Sequence, residues 1–358
     1  MDDLNATVAN SAPGPPLETI AGPHIAHPGL STQSMMRDVV TGLAAPVLAA
    51  LYFFREAALD QLMICLVSAW LTEWICCRLR ARKSTLPDGS VTVTALIFAL
   101  SLPPLLPWYA TAIGMFAAVA LGKMAFGGLG FNVFNPAMVG RAFLMLSFPI
   151  EMTSWVAPLT VDAVTRPTPL ALAKFSGQMT DVSPLFFGNV SGSLGETSAL
   201  AILIGGSWIL WRRAADWRLT LGMIVGVAAM AFLQSLTSDP SRSPGVLRHL
   251  CAGSVLFAAF FIVTDPVTSP LTRRGRWIFG LLAGVLTMMI RWFGGYPEGV
   301  MFSVLLANAV VPLIDRATPT TPVGGKVRLR SFAHPESSIL SSLCPTQSSA
   351  SFDKAGWS

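Results

Sequence analysis

The chain has 358 residues, of which 53% are hydrophobic and only 12% are charged. Soluble globular proteins carry about 25% charged residues, so this composition excludes an ordinary soluble domain and favours an integral membrane protein. The net charge of +5 does not indicate nucleic-acid binding, because the basic residues lie in short clusters at the ends of apolar runs.

Residues 1–35 are polar and rich in proline and glycine, which predicts a disordered leader without a cleavable signal peptide. Apolar runs of about 17–25 residues are then expected to cross the membrane. In the first half these predicted spans lie near 37–54, 58–77, 91–104 and 107–125, and in the second part of 126–149.

A polar gap over 151–195 separates the first five predicted spans from five more. The later spans are predicted near 196–211, 218–235, 249–264, 276–293 and 298–314. We therefore predict an all-α integral membrane fold with about ten spans, divided into halves 36–150 and 196–316. A disordered tail is predicted over 317–358.

The two halves share a pattern that predicts an internal repeat. The tripeptide FGG occurs at 126–128 and again at 293–295, and in each half an earlier short span ends in proline. Five spans per half is an odd number, so the halves would have opposite orientations. Inverted repeats of this kind place their binding sites where short, broken helices of the two halves meet.

Charge distribution predicts the orientation of the chain. Basic clusters occur at 78–83, 212–218 and 273–276 and in the tail after 316. With both termini in the cytoplasm, all four clusters lie inside, as the positive-inside rule requires. The polar gap 151–195 would then face the periplasm of a bacterial inner membrane.

Four ordered motifs give a resemblance to a known family. They are GGLGFNVFNPAMVGRAFLMLSFP, DAVTRPTPL, FIVTDPVTSPLTRRGRWIFG and RWFGGYPEGVMFSVLLANAVVPLID. Over residues 36–316 the chain resembles the D-type membrane subunit of the Rnf electron-transport complex, and more distantly the B-type membrane subunit of the sodium-pumping NADH:quinone reductase. The resemblance implies a membrane subunit of a complex that couples electron transfer between NADH and ferredoxin to movement of H⁺ or Na⁺.

The resemblance also implies FMN joined by a phosphoester to a threonine hydroxyl. The family's attachment pattern falls on Asp162, Thr165 and Thr168, with Thr168 as the acceptor and Thr165 as the fallback. The residues before the acceptor, Arg166 and Pro167, depart from the small residues common there. Arg166 could pair with the attached phosphate, and Asp162 could orient the loop. Without the resemblance, Thr168 would be interpreted as a turn residue in a solvated loop.

Further cofactors and partners follow from the resemblance. A separate flavin transferase would attach the FMN, and relatives hold a second, non-covalent flavin such as riboflavin. The spacing of the five cysteines is not that of a metal site. The sequence also contains no NAD-binding fingerprint. The chain would therefore relay electrons among iron–sulfur, NADH-binding and second FMN subunits.

Three other polar residues are candidate cofactor-binding residues, each with a structural alternative. Asn135 is predicted either to cap the fifth span or to face a flavin. Arg141 is predicted to hold a flavin or a neighbouring subunit, or to snorkel to the cytoplasmic interface. Asp265 could bind a cation or cap a turn. Glu73 and Lys123 are weaker candidates for ion coupling.

A solute channel or transporter without a redox role is the alternative from another functional class, because inverted repeats with broken helices are also a transport architecture. A part like the B-type subunit of the quinone reductase and a non-redox anchor for partner subunits are further alternatives.

Overall fold

The computed structural model of the protein describes residues 31–82, 85–159, 165–237 and 244–319. Asp162, nearly all of the predicted leader and most of the predicted tail lie outside these residues. The first helix begins at Thr32, so residues 32–35 belong to a helix and not to the leader.

The described residues form α-helices, short 3₁₀ and π turns, and one isolated antiparallel bridge between Val156 and Thr165. The first half contains α1 (Thr32–Leu79), α2 (Ser90–Leu100), α3 (Trp108–Val119) with a π turn (Ala120–Met124), and α4 (Pro136–Ser147). The polar gap contains α5 (Pro149–Met152), α6 (Pro169–Ala171) with a π turn (Leu172–Ser176), and α7 (Val182–Phe187). The second half contains α8 (Ala199–Trp211), α9 (Trp217–Thr237), α10 (Gly245–Cys251), α11 (Val255–Phe257) with a π turn (Ala258–Ile262), α12 (Arg273–Phe293) and α13 (Val300–Ala317).

Helix α1 comprises two helical segments that meet at a break. Arg55 has φ +48° and ψ −117°, which is outside helical geometry and uncommon for a residue with a side chain. The break falls where the sequence predicts the end of the first span. It also frees the carbonyl of Phe53, which accepts a hydrogen bond from the backbone N–H of Leu159 at 3.0 Å. The polar gap is therefore anchored to the break in α1.

Helix α2 ends early, inside the protein, and its last carbonyls need donors there. The backbone N–H of Gly195 donates to the Leu100 carbonyl at 2.6 Å, and that of Leu194 donates to the Leu102 carbonyl at 3.1 Å. Irregular backbone at membrane depth is tolerated where such partners are supplied. The loop before α8 therefore closes the end of α2 and fixes the position of Glu196, the next residue.

The second half contains a bent pair in place of one straight helix. α10 and the segment 255–262 meet at an angle of 65°. The sequence predicts a short span ending near 264, and the structure ends it with a π turn at Ile262. Both halves therefore contain a short helix that stops inside the protein.

By length and composition, four helices in the described residues can cross a membrane, or five if the bent pair is one span. They are α1, α9, α12 and α13, and the shorter apolar helices are 90–100, 108–124, 136–147 and 199–211. Each of the ten predicted ranges contains a helix. The chain is thus a helical, multi-pass membrane protein.

Helices α9 and α12 pack closely because glycines line their contact. A Cβ on Gly284 would lie 2.5 Å from the Met223 carbonyl oxygen, and one on Gly280 would lie 2.6 Å from the Leu219 carbonyl oxygen. Gly222 and Gly226 face them from α9. Small residues let helix backbones approach in membranes, where van der Waals packing provides much of the association energy.

Replacing Gly284 by leucine should destabilise the protein, because the new side chain would meet the backbone of α9. We expect a loss of about 1–3 kcal/mol or more in unfolding free energy, as for overpacked cores. The measurement is thermal unfolding of the purified protein in detergent. Met289→Leu, on an exposed part of the same helix, is the control and should change little. Equal midpoints for the two variants would contradict the close packing.

Candidate functional site

Thr168 is buried at the start of a short helix in the polar gap. It is 3% exposed, and its Oγ1 accepts a hydrogen bond from the backbone N–H of Ala171 at 3.2 Å. Pro169 follows at the first helical position, which is favourable because its missing N–H would have no intrahelical partner there. The interpretation of Thr168 as a solvated turn residue is therefore wrong.

Thr165 and Arg166 differ from Thr168 because both are exposed. The backbone N–H of Arg166 donates to the Trp155 carbonyl at 2.8 Å, and Thr165 pairs with Val156 in the isolated bridge. Of the two threonines in the predicted attachment pattern, Thr168 is therefore buried and Thr165 is exposed. Asp162, the third member of that pattern, lies outside the described residues.

Lys174 fastens the helical segment after Thr168 to the end of α12. Its Nζ donates to the carbonyls of Arg291 at 2.9 Å and Tyr296 at 3.2 Å, and also to that of Gly294. A cation at a helix C-terminus satisfies carbonyls that lack intrahelical partners. Burial lowers the pKa of the Lys174 ammonium.

A pocket lies beside Thr168 and extends between the two halves of the chain. Its empty space is about 550 Å³, including the open mouth. Its walls include Arg141, Trp155, Thr168, Tyr296, Glu298 and Phe302. The rings of Tyr296 and Phe302 lie 5.8 Å apart between centroids. The pocket therefore combines aromatic walls with charged groups, an arrangement typical of a small-molecule binding site.

Arg141 is buried and paired with two acids. It is 7% exposed, and its guanidinium lies 3.2 Å from Glu298 Oε2 and 3.6 Å from Glu196 Oε1. A charge inside the membrane domain is costly unless it is paired. The snorkelling interpretation of Arg141 is therefore wrong, because the side chain points into the protein and joins α4 to the turn before α13.

The same cluster contains polar atoms without hydrogen-bond partners. Both carboxylate oxygens of Glu196 and Oε1 of Glu298 have no donor among the described residues. Arg291 lies next to them, and its guanidinium donates to the carbonyls of His249 at 2.9 Å and Ala252 at 3.1 Å. Burial, and then the neighbouring Glu196, raise the pKa of the Glu298 carboxyl.

Glu196, Glu298 and Arg291 were not predicted as site residues from the sequence. Glu298 lies in the motif FGGYPEGV, where an acid within a Gly- and Pro-rich turn after a span is a signal that could have indicated it. Glu196 and Arg291 carry no comparable local signal, because their roles depend on residues far away in the chain.

Asn135 and Asp265 line a different pocket together with Ser90, Lys123 and Asn132, and its empty space, including the open mouth, is about 710 Å³. Asn135 Oδ1 accepts from the backbone N–H groups of Ala137 at 3.1 Å and Met138 at 3.3 Å, which confirms the predicted helix cap. The Asn135 backbone N–H in turn donates to Asn308 Oδ1 at 3.2 Å. The predicted site residues are therefore divided between two pockets.

Asp265 forms a turn, as the structural alternative predicts. Its Oδ1 accepts from the backbone N–H of Val267 and its Oδ2 accepts from the Thr268 hydroxyl, both at 3.1 Å. Burial raises the pKa of Asp265, and these two hydrogen bonds oppose the rise. A role in cation binding stays a prediction.

Glu73 and Lys123, predicted as separate candidates, form a buried ion pair. Lys123 Nζ lies 3.1 Å from Glu73 Oε2 and donates to Ser90 Oγ at 2.7 Å. Both side chains are almost fully buried. The pair joins α1 to the π turn after α3.

The fold and these pockets define a multi-pass helical membrane protein with a charged, partly aromatic site buried between its halves. The chain belongs to the NQR2, RnfD, RnfE family, whose model matches residues 18–324. This confirms the resemblance predicted from the four sequence motifs.

Relatives with high similarity support the same assignment. The chain is 39% identical over 311 residues to the D subunit of the proton-translocating ferredoxin:NAD(+) oxidoreductase complex of Clostridium ljungdahlii, covering 82% of this chain and 92% of the relative. It is 36% identical over 339 residues to the D subunit of the ion-translocating oxidoreductase complex of Actinobacillus succinogenes, covering 83% and 95%. The corresponding protein of Escherichia coli O81 is 38% identical over 340 residues, covering 84% and 96%.

Replacing Arg141 by methionine should be strongly destabilising, because it leaves two acids in the interior without their cation. Removing one partner of a buried ion pair costs about 3–5 kcal/mol. Thermal unfolding in detergent measures the effect, and Arg141→Met combined with Glu298→Gln should recover part of the loss. Arg166→Gln, at an exposed arginine, is the control. A stability of Arg141→Met equal to that control would show that the cluster is not held by this pair.

Proposed function

We propose that this protein is the flavin-carrying membrane subunit of an Rnf-type complex, which couples electron transfer between NADH and ferredoxin to translocation of H⁺ or Na⁺. The names of the relatives support the coupling of redox chemistry to ion movement. The observation that carries the proposal is the burial of Thr168 beside a pocket with aromatic and charged walls. Thr168 is the proposed attachment site of FMN through a phosphoester.

The residues around Thr168 fit such a group. Arg141 lies in the same pocket, and its guanidinium, which is already paired with Glu196 and Glu298, would also donate to a phosphate at Thr168 through charge-assisted hydrogen bonds. Trp155, Tyr296 and Phe302 supply flat apolar surfaces on which a ring system would pack. The flavin, when bound, supplies the redox chemistry, and the protein positions it and sets its electrostatic environment.

Attachment requires a maturation enzyme, because a threonine hydroxyl is a weak nucleophile without an activating group. A flavin transferase would recognise the segment around Asp162, Thr165 and Arg166. Thr165 and Arg166 are exposed, which leaves them accessible. Because Thr168 is 3% exposed, the transferase would act before this segment packs against α12, or on an open form of it.

A second, non-covalent flavin such as riboflavin is proposed for the Asn135 pocket. That pocket carries hydrogen-bonding groups on Asn132 and Asn135 among mostly apolar walls. Electrons would pass through the chain between iron–sulfur, NADH-binding and second FMN subunits, because the cysteines in the described part of the chain do not form a cluster site.

The proposed architecture has ten spans in two inverted repeats. Two observations support this architecture: each of the ten predicted ranges contains a helix, and each half contains a short interrupted helix. The orientation rests on the four basic clusters, which place both termini in the cytoplasm and Thr168 on the periplasmic side of the bacterial inner membrane.

Thr168→Ala should abolish covalent flavin, because of the two threonines only Thr168 lines the pocket. Thr165→Ser, which keeps the hydroxyl of the proposed recognition segment, should retain it. In-gel flavin fluorescence of the denatured protein gives the first reading, and peptide mass spectrometry locates the FMN. A non-covalent flavin would be released on denaturation from both variants. Covalent flavin that persists in Thr168→Ala would disprove the assignment.

Flavin detection, together with activity measurements on the assembled complex, separates the alternative functions. A transporter without a redox role would show no flavin in any variant. A non-redox anchor would support electron transfer in the complex after the flavin has been removed. A part like the B-type subunit of the sodium-pumping quinone reductase would carry flavin and would be distinguished by quinone reduction in its purified complex.

The proposed orientation predicts a specific labelling pattern. Cysteines introduced at exposed Thr165 and at exposed Arg212, in a background without the native cysteines, should react on opposite sides of the membrane. A membrane-impermeant maleimide added to intact spheroplasts should label Thr165→Cys and leave Arg212→Cys unlabelled until the cells are opened. Labelling of Arg212→Cys in intact spheroplasts would contradict the proposed topology.

A further inference from the structure

Two acids from distant parts of the chain meet beside Thr168. Glu196 follows the loop that closes the end of α2, and Glu298 lies in the turn before α13. Both line a small cavity of about 260 Å³ together with Thr168 and Gly253. Gly253 adopts φ +71°, and a Cβ there would lie 3.0 Å from Glu298 Oε1 and 3.1 Å from an Arg291 nitrogen. The Glu196 side chain is 3% exposed and the Glu298 side chain is 15% exposed, so both have little contact with solvent.

The hydrogen bonding of this pair is incomplete if both carboxyls are ionised. Glu298 Oε2 accepts from Arg141 at 3.2 Å and from Ser254 Oγ at 3.5 Å. No described residue donates a hydrogen bond to Glu298 Oε1 or to either carboxylate oxygen of Glu196. Glu196 is only 5% exposed, so it has little access to water. Buried acceptors without donors are costly. One proton placed on either carboxyl supplies a donor where none is present, and the two carboxylates meet at Arg141, whose guanidinium lies 3.6 Å from Glu196 Oε1 and 3.2 Å from Glu298 Oε2.

The charges around the two acids determine how tightly they hold a proton. Arg141 from α4 and Arg291 from α12 are buried and face the two acids. His249 from α10 is bound through Nε2 to Gln234 at 2.9 Å, and Lys174 is bound to carbonyls at the end of α12. With both acids ionised, the two arginines balance them. A phosphodiester at Thr168 would add a negative charge that this set does not balance.

We propose that Glu196 and Glu298 form a carboxyl pair that holds one shared proton, and that negative charge carried at Thr168 determines how tightly the proton is held. The second part rests on the proposed attachment of FMN at Thr168. Negative charge added at Thr168 would strengthen the hold of Glu196 and Glu298 on this proton, which the pair would take from the aqueous phase. The pair would release the same proton to the aqueous phase when that charge is withdrawn. No covalent bond is formed or broken in the pair apart from the O–H bond of that proton.

Infrared spectroscopy of the full-length chain in detergent tests the first part. A protonated buried carboxylic acid gives a C=O band that disappears as the pH rises, and we expect one that titrates near or above neutral pH. Glu298→Gln and Glu196→Gln should each remove or shift it. Glu151→Gln, at a partly exposed acid of the polar gap, should leave it unchanged. Asp265→Asn and Glu73→Gln identify any band from two other acids that have little exposure to solvent.

The second part is tested by comparing the wild-type protein with Thr168→Val. Without the added negative charge, the midpoint of the band should fall by on the order of one pH unit, as expected for a unit charge several ångströms away in a protein interior. The midpoint potential of the flavin in the assembled complex should depend on pH through this pair in addition to the protons that the reduced ring itself takes up, and Glu298→Gln should weaken that dependence.

The outcomes distinguish this proposal from the proposed function. A wild-type protein without covalent flavin would overturn the attachment and the charge coupling, while a titrating band sensitive to both glutamate substitutions would still support the shared proton. A wild-type band that is absent at every pH, or a band unchanged in both glutamate variants, would overturn the proposal even where Thr168 carries FMN. The pH titration of the C=O band in the wild-type protein tests the shared proton even if a glutamine variant fails to fold.

Discussion

The pairing of Arg141 with Glu196 and Glu298 is the interaction on which the site depends. A guanidinium in an apolar interior requires oxygen partners, and here they come from the loop before α8 and from the turn before α13. Three segments distant in sequence are thereby held at one point. Thr168 lies beside that point, and Lys174 fastens the segment after Thr168 to the end of α12. The polar gap is thus part of the membrane domain's interior structure.

Interrupted helices make this arrangement possible. Where α1 breaks at Arg55 and α2 ends at Leu100, backbone carbonyls lose their helical partners. Leu159 supplies a donor at the first position, and Gly195 supplies one at the second. Because unsatisfied backbone groups are costly in an apolar environment, the loops that supply these donors are fixed in place. The segments that carry Glu196 and Thr168 gain their positions from this requirement.

Local features were predicted well from the sequence. The break at Arg55, the cap at Asn135 and the turn at Asp265 depend on residues within a few positions of each other, and the structure has all three. The burial of Thr168 was not predicted, because TRPTPL by itself has the composition of an exposed turn. Arg141 was predicted as a site residue, but its partners were not, and Glu73 and Lys123 were considered separately although they form one ion pair.

The membrane class, the positions of the helices, the family and the threonine pattern could all be recognised in the amino-acid sequence, because apolar periodicity, charge clusters and short motifs are local properties. Long-range packing was needed to establish that Thr168 is buried and Thr165 exposed, and that Asn135 and Asp265 line one pocket while Arg141 and Thr168 line another. Arg141 and Glu298 are separated by 157 positions. Their contact is imposed by the need to pair buried charges when the helices pack, and no local pattern encodes it.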